Sequence, residues 1–210
     1  EGTPITPGVG IALLLSDGTE VLVARGLSDL QAQRPMTTGD YFRIGSISKT
    51  ITSVAVLQLV SEGLIVLDEP VATYLDDLLA GYELNGVDYS RDVTMRQLLS
   101  HTDGFAEFAF DPGFFLLMST RLEIPVQPQE IIDWALSKGP QYVPGSAYSY
   151  NTVGTIVAGL AIEAVTGKSA HQVFRDQIFS PIGLTSIFLP PAEDPPNPVV
   201  HGYAAALLKV

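Results

Sequence analysis

The chain has 210 residues, 46% of them hydrophobic and 16% charged, and 23 Asp and Glu against 11 Lys and Arg give a formal net charge of −12. That composition excludes a disordered segment or a coiled coil and predicts a globular body whose core needs no disulfide or metal. The acidic balance argues against nucleic acid as a partner, the absence of cysteine removes thiolate chemistry, and apolar runs such as 9–15 and 204–208 fall well short of the ~18 residues of a membrane span.

Residues 9–15 form an apolar run, Ser16-Asp17-Gly18 is a turn sequence, and residues 20–24 resume the apolar run, which predicts a hairpin with strands at about 8–25. Residues 28–40 are polar. Residues 46–62 carry Ile47, Ile51, Val54, Ala55, Leu57, Leu59 and Val60, a helix apolar on nearly every face and so expected to be central and buried, with Gly63 as its stop. Residues 71–79 suit a short helix or turn. Thr94 can cap a helix over 95–100, followed by the turn sequence His101-Thr102-Asp103-Gly104. Residues 105–120, broken at Pro112-Gly113, suggest a loop or short helix. Further helices are expected over 128–138, ending at Gly139, and over 152–166, closed by Gly167. An amphipathic one follows over 169–179. Five prolines in 190–198 mark a surface crossing. Strands followed by a helical region, about 46–180, indicate an α+β fold rather than alternating parallel units. Two strands alone make a poor sheet, and nothing after residue 199 is long enough to complete it.

Of the four lysines, Lys49 alone falls in the first turn of a strongly apolar helix, where an ammonium is costly without a partner. Ser46 stands three residues earlier, on the same helical face. A lysine whose pKa burial lowers can accept the serine proton and make it a nucleophile. The competing reading makes Ser46 a helix cap and lets Lys49 reach solvent. A second candidate is Tyr150, in the Pro-Gly loop Pro144-Gly145-Ser146-Ala147-Tyr148-Ser149-Tyr150-Asn151-Thr152. Its phenol could shuttle a proton if positive charge such as Lys49 lowers its pKa; otherwise it anchors the loop. No Gly-x-Ser-x-Gly elbow, zinc-binding His spacing or nucleotide-binding fingerprint is present. No metal and no cofactor are therefore implied.

The string Phe42-Arg43-Ile44-Gly45-Ser46-Ile47-Ser48-Lys49-Thr50 resembles the nucleophile motif of the serine β-lactamase and penicillin-binding protein superfamily. Leu57-Gln58-Leu59-Val60-Ser61-Glu62-Gly63, Leu67-Asp68-Glu69-Pro70-Val71, Leu98-Leu99-Ser100-His101-Thr102-Asp103-Gly104, Val157-Ala158-Gly159-Leu160 and Gly202-Tyr203 keep the order of its branch with class C β-lactamases, D-alanyl-D-alanine carboxypeptidases, D-aminopeptidases and esterases. The resemblance runs from about residue 7 to residue 203. It implies an antiparallel sheet packed against helices plus an all-helical lobe, in a single catalytic domain of which residues 1–210 are the N-terminal portion.

By this resemblance Ser46 would be the acylated nucleophile, Lys49 its base partner and Tyr150 the proton shuttle of a Tyr-x-Asn element; the other register would use Tyr148. Asn151 then takes the middle position and Thr152 stands where the family has Asn, both as substrate-binding candidates. Threonine offers one hydroxyl in place of a carbonyl and an NH₂, which puts lactam hydrolysis in question. The family's later Lys/His-x-Gly strand, which supplies one of two oxyanion donors, has no match here. Losing such a donor typically costs ~2.7–4 kcal/mol of transition-state stabilisation. The expectation is therefore a serine hydrolase working by acyl-enzyme transfer on amide or ester bonds, of the D-alanyl-D-alanine carboxypeptidase/D-aminopeptidase or β-lactamase kind, acting on D-amino-acid peptides or their lactam mimics and next on simple esters, secreted or periplasmic. A C-terminal segment or second chain should complete it with strands and a helix. The rivals are an esterase of the same family and a non-catalytic penicillin-binding or sensor-type homologue.

Overall fold

A computed structural model describes residues 6–109, 111–120 and 126–202. The apolar run 204–208 and Tyr203 of the Gly202-Tyr203 landmark lie outside these. The chain divides into two compact units, Glu1–Gly45 with Ser186–Val210, and Ser46–Thr185.

The first unit is built on the hairpin. Strands β1 (Gly8–Leu14) and β2 (Glu20–Asp29) pair antiparallel from Gly8 opposite Gly26 to Leu14 opposite Glu20. The turn forms because Asp17 Oδ1 accepts the Thr19 N–H (2.9 Å) and Gly18 takes a positive φ of 84°. The polar stretch after β2 hides a third strand, β3 (Arg34–Pro35), so the sheet order is β1-β2-β3. Ser28, fully buried, helps hold it by donating to the carbonyls of Arg34 and Pro35. Past the proline-rich stretch the chain returns to this unit, where Val199 bridges Tyr41 and the His201 N–H meets the Ser28 carbonyl at 3.0 Å. Among the described residues the sheet stays open, with β1 at one edge. Val9, Ile11, Leu13, Leu14 and Leu22 remain exposed.

The second unit is helical. A 3-10 turn over Gly45–Ile47 leads into α1 (Ser48–Ser61), followed by α2 (Ala72–Leu75) and a small hairpin of β4 (Glu83–Leu84) and β5 (Val87–Asp88). Then come α3 (Met95–Ser100), α4 (Pro112–Ser119), α5 (Pro128–Lys138), α6 (Val153–Thr166) and α7 (Ala170–Phe174). One π turn, Arg175–Phe179, and a 3-10 turn, Ser180–Ile182, continue α7. Helix α6 is the hub. It packs against α1, α2, α3, α5 and α7 and buries Val153, Val157, Ala158, Ala161 and Ile162 completely. No single helix among the described residues is long and apolar enough to cross a membrane.

One expectation is overturned. Helix α1 is not buried all round: Thr52, Ala55, Val56 and Leu59 face inward, while Val54 and Leu57 are about half exposed (44% and 50%). Its even spread of apolar residues reports composition, and only packing decides which face is covered. The β4–β5 hairpin turns on Asn85-Gly86, both at positive φ, a strong two-residue turn signal.

Candidate active site

Ser46 lies in the 3-10 turn and Lys49 in the first turn of α1, so the backbone brings the two side chains together. Lys49 Nζ donates to Ser46 Oγ at 3.1 Å. The ammonium also sits 5.0 Å from the centre of the Tyr150 ring, within cation–π range. Burial does not isolate the lysine as expected, since it is only half-buried and Ser46 is exposed. The aromatic face and the serine hydroxyl are its partners instead. Hydrogen bonding with Ser46, then with Lys49, together with the lysine's charge, holds the Tyr150 phenol below its ordinary pKa. Tyr148, by contrast, is 67% exposed and lies edge-on to His101 with ring centres 6.1 Å apart.

Tyr150 is placed by a loop stitched onto the turn after α3. The helix starts at a capping box, Thr94 with Gln97, and ends at His101 in the left-handed conformation (φ 57°). The His101 carbonyl accepts the Ser149 N–H at 3.0 Å and the Tyr142 hydroxyl at 3.2 Å, and the Thr102 carbonyl accepts the Gly145 N–H at 2.7 Å. The His101 ring packs on the Tyr150 ring at 4.6 Å, and its Nδ1 faces the Asn151 N–H at 3.5 Å. Burial, then the nearby Lys49 charge, pushes the His101 pKa down. Gly104 (φ 89°) is obligatory in this turn, because a Cβ would come 2.8 Å from the Tyr142 carbonyl oxygen.

Asp103 and Asn151 form the buried keystone. Asp103 Oδ1 accepts from the Phe105 N–H (2.8 Å) and from Asn151 Nδ2 (2.9 Å). Asn151 Nδ2 also donates to the Ser149 carbonyl, and its Oδ1 accepts the Gly154 N–H at 2.8 Å in the first turn of α6. Asn151 is therefore not turned toward a substrate. It is wholly buried, and each of its polar atoms is engaged in joining the turn, the loop and the helix. Gly154 is required there as well: a Cβ would stand 2.7 Å from Asp103 Oδ2.

Thr152 is half-buried, and its hydroxyl donates to Glu107 Oε2 at 2.9 Å. With its proton committed, it can offer a substrate only an acceptor lone pair. Glu107 and His101 are the site neighbours that the sequence reading did not assign. Glu107 belongs to no recognisable spacing, while His101 stood in a string read as a turn, and that turn is where it lies.

Residues 5–209 match the Beta-lactamase family. The chain belongs to this family. It is 31% identical over 188 residues to Penicillin-binding protein 4 of Amycolatopsis lactamdurans, covering 89% of this chain and 46% of that protein. It is 29% identical to Esterase EstB of Burkholderia gladioli, covering 84% of this chain and 46% of the esterase. The D-amino acid amidase of Ochrobactrum anthropi SV3, solved with L-phenylalanine, superposes with a TM-score of 0.75 at 28% identity. That match covers 90% of this chain and 49% of the amidase. The chain thus spans about half the length of the curated relatives it matches. The α+β, β-lactamase/transpeptidase-like fold expected from the sequence is the one found.

Proposed function

We propose that the protein is a serine hydrolase working through an acyl-enzyme on amide or ester bonds, with Ser46 as nucleophile and Lys49 and Tyr150 as its proton-handling pair. The observation that carries this reading is the shared ammonium. Lys49 Nζ meets Ser46 Oγ at 3.1 Å and lies over the Tyr150 ring, so one charge can serve both hydroxyls. The Ser46 proton passes to the pair, which enters the reaction one proton short of its full complement. Oγ attacks the carbonyl carbon, and the tetrahedral intermediate collapses as the pair hands that proton to the leaving nitrogen or oxygen. Water then repeats the sequence on the acyl-enzyme and restores Ser46. Thr152 would accept one N–H of the bound substrate.

Amides and esters of amino acids or short peptides are the favoured substrate class, supported by kinship with an amidase, an esterase and a penicillin-binding protein. A secreted or periplasmic setting goes with this reading.

Ser46→Ala is expected to abolish covalent labelling by a fluorophosphonate or a fluorescent penicillin while far-UV circular dichroism stays unchanged. Undiminished labelling of that variant overturns the assignment. Tyr150→Phe should lower kcat/KM by about 10²–10⁴ through loss of proton transfer. Labelling without turnover on amide, lactam and ester substrates would favour the penicillin-binding sensor instead.

A further inference from the structure

Resting on the reading above, we propose that His101 is a positioning residue for the reaction: as a neutral imidazole it holds Tyr150 against the Lys49 ammonium, and a proton on its ring switches turnover off. Tyr150 is 41% exposed, so its ring depends on the few neighbours it has. The Lys49 ammonium lies 5.0 Å from the ring centre, and the His101 ring lies 4.6 Å from it, tilted by 44°. Tyr148 lies edge-on to the same imidazole at 6.1 Å. The backbone of His101 is fixed as well. It ends α3 at a φ of 57°, and its carbonyl takes the Ser149 N–H at 3.0 Å, one residue before Tyr150. Ring and backbone of one residue therefore hold the same tyrosine.

The second observation fixes the protonation state. Nδ1 faces the Asn151 N–H at 3.5 Å. A ring nitrogen that receives an N–H must offer a lone pair, so the imidazole proton belongs on Nε2. Asn151 is not free to turn away, because its side chain is buried and tied to Asp103, Ser149 and Gly154. A proton on Nδ1 would set one donor against another and place a second cation beside Lys49. The charged and titratable groups around the ring are Lys49 from α1, Glu107 from the segment after the turn, and Tyr148 and Tyr150 from the loop, while Tyr142 meets the His101 carbonyl. Burial and Lys49 disfavour the charged imidazole, and Glu107 opposes them. The neutral form is therefore kept at neutral pH and lost only in acid. His101 acts through Tyr150 and moves no proton of the reaction itself.

The test is the pH profile of p-nitrophenyl acetate hydrolysis. In the unmodified protein kcat should fall at least tenfold on the acid side, through a midpoint below the ordinary histidine value of 6.5. NMR of the three imidazoles, assigned through His171→Gln and His201→Gln, should show the His101 proton on Nε2 in the neutral state and the same midpoint. His101→Asn, whose side chain tolerates the left-handed conformation, should lower kcat at least tenfold at pH 8, change KM less than twofold and lose the acid step. His101→Phe, which restores a ring against Tyr150 but takes no proton, should recover most of kcat, again without the step. An acid step that survives both variants, one that Asp103→Asn removes, or a neutral His101 protonated on Nδ1 overturns the proposal. Ester hydrolysis that survives Ser46→Ala overturns the underlying function instead, so the two failures are separable.

Discussion

Asp103 shows how a single buried group can set a pH dependence. Burial raises its pKa from the ordinary 3.8 to about 6, although hydrogen bonds from Phe105 and Asn151 pull the other way. Oδ2 is buried without a donor, and the acceptors Leu98 O and Asn151 Oδ1 lie around the Gly154 position that it crowds. The folded state therefore binds the proton more tightly than the unfolded chain does. The protonated form's advantage is complete below pH ~4 and is lost as pH rises through about 6. At about 1.4 kcal/mol per pH unit the full effect is of order 3 kcal/mol. Urea unfolding should show stability falling between pH 4 and 6 and levelling above, and Asp103→Asn, which keeps the Oδ1 acceptor, should flatten that slope. An unchanged slope would place the titration elsewhere. Asn151 illustrates the same scale from the sequence side. The motif register marked it as a substrate contact, but an amide has donors and an acceptor at one end, and here the fold uses all of them.

At the scale of elements, helix limits were largely readable because caps and stops are local. Thr94 caps α3 through Gln97, Pro128 opens α5, Gly139 follows it, and Gly167 closes α6 in the left-handed conformation. Thr94→Ala should cost about 1 kcal/mol in chemical unfolding, measurable as a lower urea midpoint with an unchanged slope. Gly154→Ala should do more. Its Cβ must displace Asp103 Oδ2 and with it the Asn151 link to Tyr150. The expected outcome is a loss of about 1–3 kcal/mol in stability together with a lower kcat, whereas an ordinary helix glycine would be stabilised by alanine. What local patterns could not show was β3, two residues long and held by the buried Ser28 hydroxyl, or the side of α1 that faces the core. Both depend on what lies across from them rather than on their own residues.

Among the described residues, the open edge of the sheet and the exposed side of α1 each leave large apolar groups in water: Leu14 is 74% exposed, Leu13 52% and Leu57 50%. Surfaces of this kind bind apolar partners or dyes. The protein is expected to bind the dye ANS, and Leu13→Lys with Leu22→Lys should reduce its fluorescence. Absence of dye binding would show that these faces are covered.

The family, the α+β class, the hairpin turn, most helix limits and the Ser46–Lys49 pairing are legible along the chain. Each of these rests on short spacings: a positive-φ glycine, a cap, or two side chains one helical turn apart. That Tyr150 rather than Tyr148 lies over Lys49, that Asn151 is a buried brace, and that Glu107 stands beside Thr152 emerge from the folded chain. These three arrangements bring together residues 45 to 101 positions apart, joined by the turn after α3 and the loop before α6. A contact of that separation exists only once the chain has folded, because no local spacing encodes which loops will meet.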